Sequence, residues 1–415
     1  MDRNRDGWYP QTPRSVSPEG PLRGADFPLP LVVLLFQFSR TMHDGFQGIL
    51  KRGSICSASI LVELVWLLAV PPASFAVEPP ATNRFPRLDP AKLLEYRRAN
   101  GNIMPVTNVE DWQHRRAAIL AGMQEVMGPL PGNEKRCPLD METLEEVDCG
   151  EYIRKLITYR PEPKGIVPAY LLIPKAALSS SKKFPGVLCL HQTDNKLGHK
   201  IVVGLANRAN DEYGADLAKR GFVCLAPAYP LLANYKPDLK ALGYQSGTMK
   251  AIWDNIRGLD LLESLPFVQP GKFGAIGHSL GGHNSIYTAV FDERVKVIVS
   301  SCGFDSFRDY MDGNIKGWTS ERYMPKLLNY SLRDIPFDFH ELIGALAPRH
   351  VFVSAPFYDT NFKWQSVFRI EEAAAKVYEF LRARANLRLE HPKCGHEFPI
   401  EMREIAYRLF AEHLR

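Results

Sequence analysis

Short apolar runs alternate with longer amphipathic stretches from Phe184 to the end of the chain. The runs have the length of buried strands, and the stretches between them repeat apolar residues at helical spacing. Such alternation favours a mostly parallel sheet that is covered by helices on both faces. We therefore predict an α/β fold, with strands at Gly186–Leu190, Phe222–Ala226, Phe273–Ile276, Val295–Ser300, Val351–Ser354 and Leu387–His391.

Two of the predicted helices have a clear apolar face. One covers residues 247–265, and the last covers residues 402–414. Before the alternating region, residues 152–159 and 167–173 have the β-branched and aromatic character of strands, with a Pro-Lys-Gly turn between them. We expect these two strands to form an antiparallel hairpin that leads into the larger sheet.

The same pattern suggests how the chain is divided. Residues 77–147 are predicted to be an N-terminal helical extension, in which residues 107–110 offer a capping box for a helix that ends near Gly128. Residues 148–415 are predicted to be the main α/β domain, which contains the candidate catalytic residues described below. Within it, residues 303–337 interrupt the strand and helix rhythm with aromatic residues, glycine and proline, so we expect a small cap insertion there.

The first 76 residues differ from the rest. Residues 1–27 are rich in Pro, Arg, Gly and Ser, which indicates disorder or a wrongly assigned start. Lys51-Arg52, the apolar run over residues 60–70 and the small residues that end at Ala76 resemble a secretory signal. We hypothesise that translation begins at Met42. The mature protein is then expected to be secreted or periplasmic without a membrane span, and to be cytoplasmic if the segment is not a signal.

Composition narrows the class of protein. The 415 residues, 45% hydrophobic and 23% charged, suit a large globular domain. The net charge of +5 is small and the basic residues are scattered, so no nucleic-acid partner is expected. The seven cysteines have neither CxxC nor metal-like spacing, and we expect no metal and no cofactor. Cys137 and Cys149 could pair if the protein is exported.

A serine in a glycine-rich turn is the strongest candidate for a nucleophile. Ser279 lies in Gly277-His278-Ser279-Leu280-Gly281, between a predicted strand and a predicted helix. Gly-x-Ser-x-Gly is the pattern of the nucleophile elbow, in which small residues let strand and helix pack closely around a strained serine. His278 and His283 flank the elbow and are expected to pack against it or to bond locally.

A serine hydroxyl needs a base to take its proton, and the base needs a carboxylate to fix its tautomer. His396 follows the last predicted strand through a short loop, so we expect it at the same edge of the sheet as Ser279. His391 is a weaker alternative base. For the carboxylate we prefer Asp359, which follows the preceding strand, and we keep Asp305 as the alternative.

Attack of the serine on a carbonyl group would also need two hydrogen-bond donors to stabilise the oxyanion that forms. One is expected to be the backbone N–H of Leu280, directly after the nucleophile. The other is expected from the loop His191-Gln192-Thr193-Asp194 that follows the first parallel strand, through the amide of Gln192 or of Thr193.

From about Phe184 to Arg415 the chain resembles an α/β-hydrolase of the dienelactone-hydrolase-like and acetyl-xylan-esterase-like branch. The resemblance rests on the elbow with Gly282 after it, on Ala226-Pro227-Ala228-Tyr229-Pro230 and on Cys394-Gly395-His396-Glu397-Phe398-Pro399. These motifs are specific for the fold and the catalytic class, and not for the substrate.

The resemblance implies a cofactor-free serine esterase whose triad is Ser279, Asp359 and His396. The chain departs from the pattern in two places. Dienelactone hydrolases have cysteine where Ser279 stands, which argues against their reaction. Many members have His-Gly where this chain has His191-Gln192, so the oxyanion donor does not follow from the resemblance.

We therefore expect a serine carboxylesterase, with an acylated carbohydrate as the favoured small-molecule or polysaccharide substrate. Two alternatives stay open. A serine peptidase of the prolyl-oligopeptidase type shares the fold and the triad, although no stretch here is long enough for that group's propeller. A binding protein with a hydrolase fold would have no turnover at all.

The leader hypothesis gives the first testable prediction. If the signal-like segment is removed after Ala76, N-terminal sequencing of the protein from its native host should begin at Val77. A mature N-terminus well before Met42 would contradict both the start and the cleavage site.

Overall fold

A nine-stranded sheet forms the centre of the protein in this computed structural model, which describes residues 85–415 apart from Asn207 and Ala209. The signal-like segment and the start proposed at Met42 lie outside the described residues. Of the helices that are described, none combines the length and the apolar character needed to cross a bilayer.

Two short strands, β1 (Glu95–Arg97) and β2 (Ile103–Pro105), pair with each other before the large sheet begins. The large sheet contains β3 (Glu142–Asp148), β4 (Tyr152–Tyr159), β5 (Val167–Pro174), β6 (Phe184–Leu190), β7 (Val223–Pro227), β8 (Val268–His278), β9 (Val295–Ser301), β10 (His350–Ser354) and β11 (Leu387–Glu390). The helices are α1 (Val109–Met127), α2 (Lys175–Ser179), α3 (Tyr213–Lys219), α4 (Gly247–Ser264), α5 (Leu280–Phe291), α6 (Phe339–Ala345), α7 (Trp364–Phe380) and α8 (Ile400–Leu414).

The sheet is mixed and mostly parallel, which confirms the predicted fold class. Its strand order is β11-β10-β9-β8-β6-β7-β5-β4-β3. Neighbours from β7 to β11 are parallel, whereas β3, β4 and β5 add to one edge in antiparallel pairs. Leu188 of β6 is in register with Leu225 of β7 and Ala275 of β8. The carboxyl ends of β6 to β11 therefore meet at one edge.

The two faces of the sheet bury separate hydrophobic layers. Leu188 and Leu190 belong to the larger layer, to which α1, α4, α5, α6 and α7 contribute. Val187 and Cys189 belong to the other layer, with α3 and α8. Because successive side chains of a strand point to opposite faces, one apolar run in the sequence supplies both layers.

The predicted N-terminal extension shares this core. Trp112 of α1 is 1% exposed and lies in the larger layer. Arg115 donates to Glu341 of α6 at 3.0 Å, and both side chains are buried. The described residues from 85 to 415 accordingly belong to one compact unit.

The N-cap of α1 lies one residue later than predicted, and the reciprocal bond of a capping box does not form there. Asn108, and not Thr107, is the N-cap: its Oδ1 accepts the N–H of Asp111 at 2.9 Å. Asp111 in turn accepts the N–H of Thr107 at 2.9 Å. Asparagine is at least as good an N-cap as threonine, and Glu110 stays exposed.

Two regions differ from the sequence-based expectation in detail. Strand β3 was not predicted, because it is an edge strand with almost every side chain exposed and it lacks an apolar alternation. The expected cap insertion over residues 303–337 contains three short 3₁₀ helices, Tyr310–Gly313, Ile315–Trp318 and Pro325–Asn329.

The two cysteines that could have paired do not form a disulfide bond. Cys137 and Cys149 are both free thiols.

Candidate active site

Ser279 makes the turn between β8 and α5 by itself. The strand ends at His278 and the helix begins at Leu280. Between them Ser279 has φ 54° and ψ −119°, a conformation that costs free energy for a residue with a side chain. Its N–H donates to the carbonyl of Ser301 at 2.8 Å, which ties the turn to β9. The geometry is that of the predicted nucleophile elbow.

The two glycines of the motif are required by close backbone contacts. A Cβ atom on Gly277 would lie 2.1 Å from the carbonyl oxygen of Gly281. A Cβ atom on Gly281 would lie 1.9 Å from the carbonyl oxygen of Leu190, at the end of β6. Because the obstructing atoms are backbone, neither position has room for a side chain.

The structure brings His396 and Asp359 together. Nδ1 of His396 lies 3.0 Å from each carboxylate oxygen of Asp359. A carboxylate only accepts hydrogen bonds, so Nδ1 carries the proton and Nε2 keeps its lone pair. His396 is 29% exposed, whereas the side chain of Asp359 is 1% exposed.

His396 and two local backbone amides keep the buried Asp359 ionised. Burial opposes the charge, but the hydrogen bond and charge of His396 favour it, and the N–H groups of Asn361 and Phe362 donate to Oδ1 at 2.8 and 3.2 Å. The net effect lowers the pKa of Asp359 below its ordinary value. This carboxylate can therefore hold the His396 tautomer at neutral pH.

Asp305, the alternative acid, lies in a different environment. One of its oxygens accepts the N–H of Lys363 at 3.0 Å, and no described residue bonds the other. Burial raises the pKa of Asp305 to about 7. His396 bonds to Asp359 and not to Asp305, so the geometry agrees with the preferred carboxylate.

The rings around Ser279 place His396 beside the elbow. The ring of His278 lies 4.9 Å from that of His396, and the ring of Phe362 lies 6.0 Å from it. Phe362 lines the same pocket as Ser279. In the described part of the chain no hydrogen bond joins Ser279 to His396, and catalytic hydrogen bonds often close only when substrate binds.

The expected oxyanion donors lie on both sides of Ser279. Leu280 opens α5, so its N–H is among those that intrahelical bonding leaves free. Thr193 lines the pocket with Ser279 and Leu280, whereas Gln192 is buried outside it. Between the two predicted amides, the geometry favours that of Thr193.

His191 fixes the loop that carries Thr193. Its Nδ1 donates to the carbonyl of Gln192 at 2.7 Å, and its Nε2 accepts the N–H of Tyr229 at 3.0 Å. Burial lowers the pKa of His191 to about 4, so the ring is neutral, as these bonds require. This histidine therefore joins the loop after β6 to the segment after β7.

Sequence comparisons point to esterases. A sequence model of the family "Glucuronyl esterase, fungi" matches residues 240–382. The protein "Putative hydrolase YtaP" of Bacillus subtilis (strain 168) is 24% identical over 300 residues, which cover 70% of this chain and 96% of that protein.

Solved structures share the fold. A glucuronoyl esterase from Solibacter usitatus superposes with a TM-score of 0.63 at 19% identity, over 80% of this chain and 99% of its own. A carbohydrate esterase family 15 glucuronoyl esterase from Caldicellulosiruptor kristjansonii gives 0.58 at 19% identity, over 78% and 90%. The chain therefore has the α/β-hydrolase fold of these esterases. The predicted resemblance is thereby confirmed.

The pocket at Ser279 of this hydrolase is small, about 70 Å³, and largely aromatic. Tyr310, Trp318 and Tyr323 of the insertion form its walls together with Phe362. A larger cleft, of about 370 Å³, lies between the N-terminal segment and α1, but neither Ser279, His396 nor Asp359 lines it. The smaller pocket is therefore the candidate active site, because Ser279 lines it.

His283 lines this pocket and has a buried ring nitrogen without a described hydrogen-bond partner. Its Nδ1 lies 3.0 Å from the carbonyl of Gly303, so Nδ1 carries the proton. Burial lowers the pKa of the ring to about 4, so it is neutral above that pH. No described residue bonds Nε2, although the ring lines the pocket beside Trp318 at 4.7 Å. The sequence analysis expected His283 to pack against the elbow or to bond locally, and it did not indicate the unpaired Nε2.

His278, also expected to pack locally, does so. Its Nδ1 lies 3.1 Å from the hydroxyl of Ser301, and burial lowers its pKa to about 3. His391, the weaker alternative base, bonds the carbonyl of Ala355 through Nδ1 at 2.6 Å. Neither ring lines the pocket at Ser279.

The elbow packing can be tested by substitution. Gly281→Ala forces a Cβ atom against the Leu190 carbonyl, so we expect Ser279 to shift and ester hydrolysis to fall by about 100-fold. Gly150→Ala is the matched control, because Gly150 has φ 86° but nothing within 4 Å of its Cβ position. The control should keep its hydrolysis rate. Equal losses in both variants would show that contact with β6 is unimportant.

Proposed function

We propose that this hydrolase cleaves an ester of a carbohydrate, with Ser279 as nucleophile, His396 as general base and Asp359 as its carboxylate. The observation that carries the proposal is the combination of a strained Ser279 with a His396 that bonds Asp359 through Nδ1 at the same edge of the sheet. A hydroxyl in that setting has a base with a free lone pair nearby.

The reaction would proceed in two stages. Nε2 of His396 takes the proton from Ser279 while Oγ attacks the ester carbonyl, and the N–H groups of Leu280 and Thr193 stabilise the oxyanion. Each such donor is worth about 3 kcal/mol in the transition state. His396 then gives the proton to the departing alcohol. A water molecule, deprotonated by His396, releases the acid and restores Ser279.

Three observations favour a sugar as part of the substrate. The aromatic walls of the pocket suit the apolar faces of sugar rings. The free Nε2 of His283 suits a hydroxyl donor, and a polar group that is left unpaired in a buried pocket costs about 1–3 kcal/mol. The matching family and solved structures bear the names of glucuronoyl esterases.

Within this class we propose that the acyl group is a uronic acid, esterified through its carboxyl group. The ten described residues that line the pocket include neither lysine nor arginine. A uronic acid ester is neutral and needs no cation in the pocket, whereas the product carboxylate would find no cation to retain it. The product acid would therefore leave the pocket readily after cleavage.

Triad substitutions test the catalytic assignment. Ser279→Ala and His396→Ala should lower kcat/KM by about 10⁴-fold or more, and Asp359→Asn by roughly 10³-fold to 10⁴-fold, because Asn would favour the wrong tautomer. Asp305→Asn is the matched control and should keep most activity. If Asp305→Asn were the damaging change, the carboxylate would be wrongly assigned.

The same variants separate the alternative functions. A fluorophosphonate probe should label Ser279 in the unmodified protein and not in Ser279→Ala, whereas a binding protein without turnover would not be labelled. Hydrolysis of p-nitrophenyl acetate but not of a prolyl amide would exclude the peptidase alternative.

The role of His283 gives a prediction about specificity. His283→Phe keeps a ring but removes the acceptor, so kcat/KM for the benzyl ester of glucuronic acid should fall by about 10-fold to 100-fold. Benzyl acetate has the same leaving group without the sugar hydroxyls, and its hydrolysis should change by less than about threefold. Equal losses on both esters would mean that His283 only packs.

A further inference from the structure

A thiol that the proposed mechanism does not use lies against the His396–Asp359 pair. Sγ of Cys302, a carboxylate oxygen of Asp359 and a ring nitrogen of His396 all lie within 4.8 Å of one another. Cys302 is buried and directly follows β9. The three side chains come from three separate loops, which is why their spacing in the sequence gave no sign of a metal site.

The backbone holds this thiol in position. Cys302 has φ 47°, and its N–H donates to the carbonyl of Ser354 at 2.9 Å. Its Sγ lies 3.4 Å from the carbonyl oxygen of Glu397, the residue after His396. The sulfur is therefore directed toward the loop that carries the imidazole.

Sulfur, imidazole nitrogen and carboxylate oxygen are the donor atoms that Zn²⁺ prefers in proteins. Zn²⁺ bonds of about 2.0–2.3 Å place ligand atoms about 3.5 Å apart. Nδ1 of His396 lies 3.0 Å from the carboxylate of Asp359, and Sγ of Cys302 lies within 4.8 Å of the other two ligand atoms, so the pair would have to open slightly and the sulfur to lie close to it. Movement of the partly exposed His396 could supply that change, and its exposed side would leave a fourth position for water.

We propose that Cys302, Asp359 and His396 form an inhibitory site for a thiophilic divalent cation such as Zn²⁺. On binding, the thiol proton passes to solvent and the metal bonds to sulfur, nitrogen, oxygen and water. The thiolate and the carboxylate together balance the charge of the cation, so the buried cluster is neutral.

Occupation of this site removes the base, whichever ring nitrogen is used. A metal on Nδ1 displaces its proton to Nε2, which then cannot accept a proton from Ser279. A metal on Nε2 occupies the lone pair itself. The loss of activity rests on the proposed function, but the binding of the metal does not.

Binding can be measured without activity. Co²⁺ added to Ser279→Ala protein should give a thiolate-to-cobalt charge-transfer absorption that is absent from the double variant with Cys302→Ser. Cys394 lies on the same loop as His396, so Ser279→Ala with Cys394→Ser is the matched control and should keep the absorption. If the absorption depended on Cys394 or persisted without Cys302, the site would be wrong.

Inhibition is measured on p-nitrophenyl acetate, with each variant compared with its own zinc-free rate. Zn²⁺ should inhibit the unmodified protein reversibly, with recovery on chelation, whereas Mg²⁺ should not, because it prefers oxygen ligands. Cys302→Ser and Cys302→Ala should each raise the half-inhibitory Zn²⁺ concentration at least about tenfold. An unchanged half-inhibitory Zn²⁺ concentration in both variants would overturn the proposal. A cobalt absorption without zinc inhibition would show that the metal binds away from the base, and the inhibitory role would then be wrong.

Discussion

The contact between the turn after β8 and the end of β6 determines the rest of the site. Gly281 approaches the Leu190 carbonyl so closely that no side chain fits between them. This approach places the first turn of α5 against the loop that follows β6. Ser279, Leu280 and Thr193 consequently line one pocket. A strained backbone at Ser279 is the cost of that arrangement.

The same edge of the sheet holds two buried carboxyl groups with different properties. Asp359 accepts bonds from His396 and from two backbone amides, which together outweigh burial and keep it charged. Asp305 accepts one backbone bond, and burial raises its pKa to about 7. Similar depth therefore leads to opposite pKa shifts, because Asp359 has more hydrogen-bond donors and the charge of His396 beside it, whereas Asp305 lies near the carboxylates of Asp309 and Asp338. A carboxylate that must stabilise an imidazolium needs the first environment.

Much of the fold and of the candidate site could be predicted from the sequence, because both depend on local patterns and on one topological rule. Apolar runs gave the parallel strands, and the positions of Ser279, Asp359 and His396 after those strands indicated that they would share an edge. Strand β3 was missed because its side chains are exposed, and the cap of α1 was displaced because Asn108 competes with Thr107.

The features that were missed depend on tertiary contacts. The free Nε2 of His283 arises from a bond to Gly303, which is distant in the sequence. The aromatic residues of the insertion were noticed, but nothing in their order shows that Trp318 and Tyr323 line the pocket. Likewise, Cys302 looks like an ordinary buried thiol until the loops of Asp359 and His396 are placed beside it.

The interlocked N-terminal segment has a practical consequence for anyone who shortens this protein. Helix α1 covers part of the larger apolar layer with Trp112, and its Arg115 neutralises the buried Glu341. A version that began at residue 148 would open that layer to water and leave a carboxylate buried without its partner, a change that costs several kcal/mol. The smallest autonomous folding unit of this enzyme therefore extends well upstream of the strands that carry its chemistry.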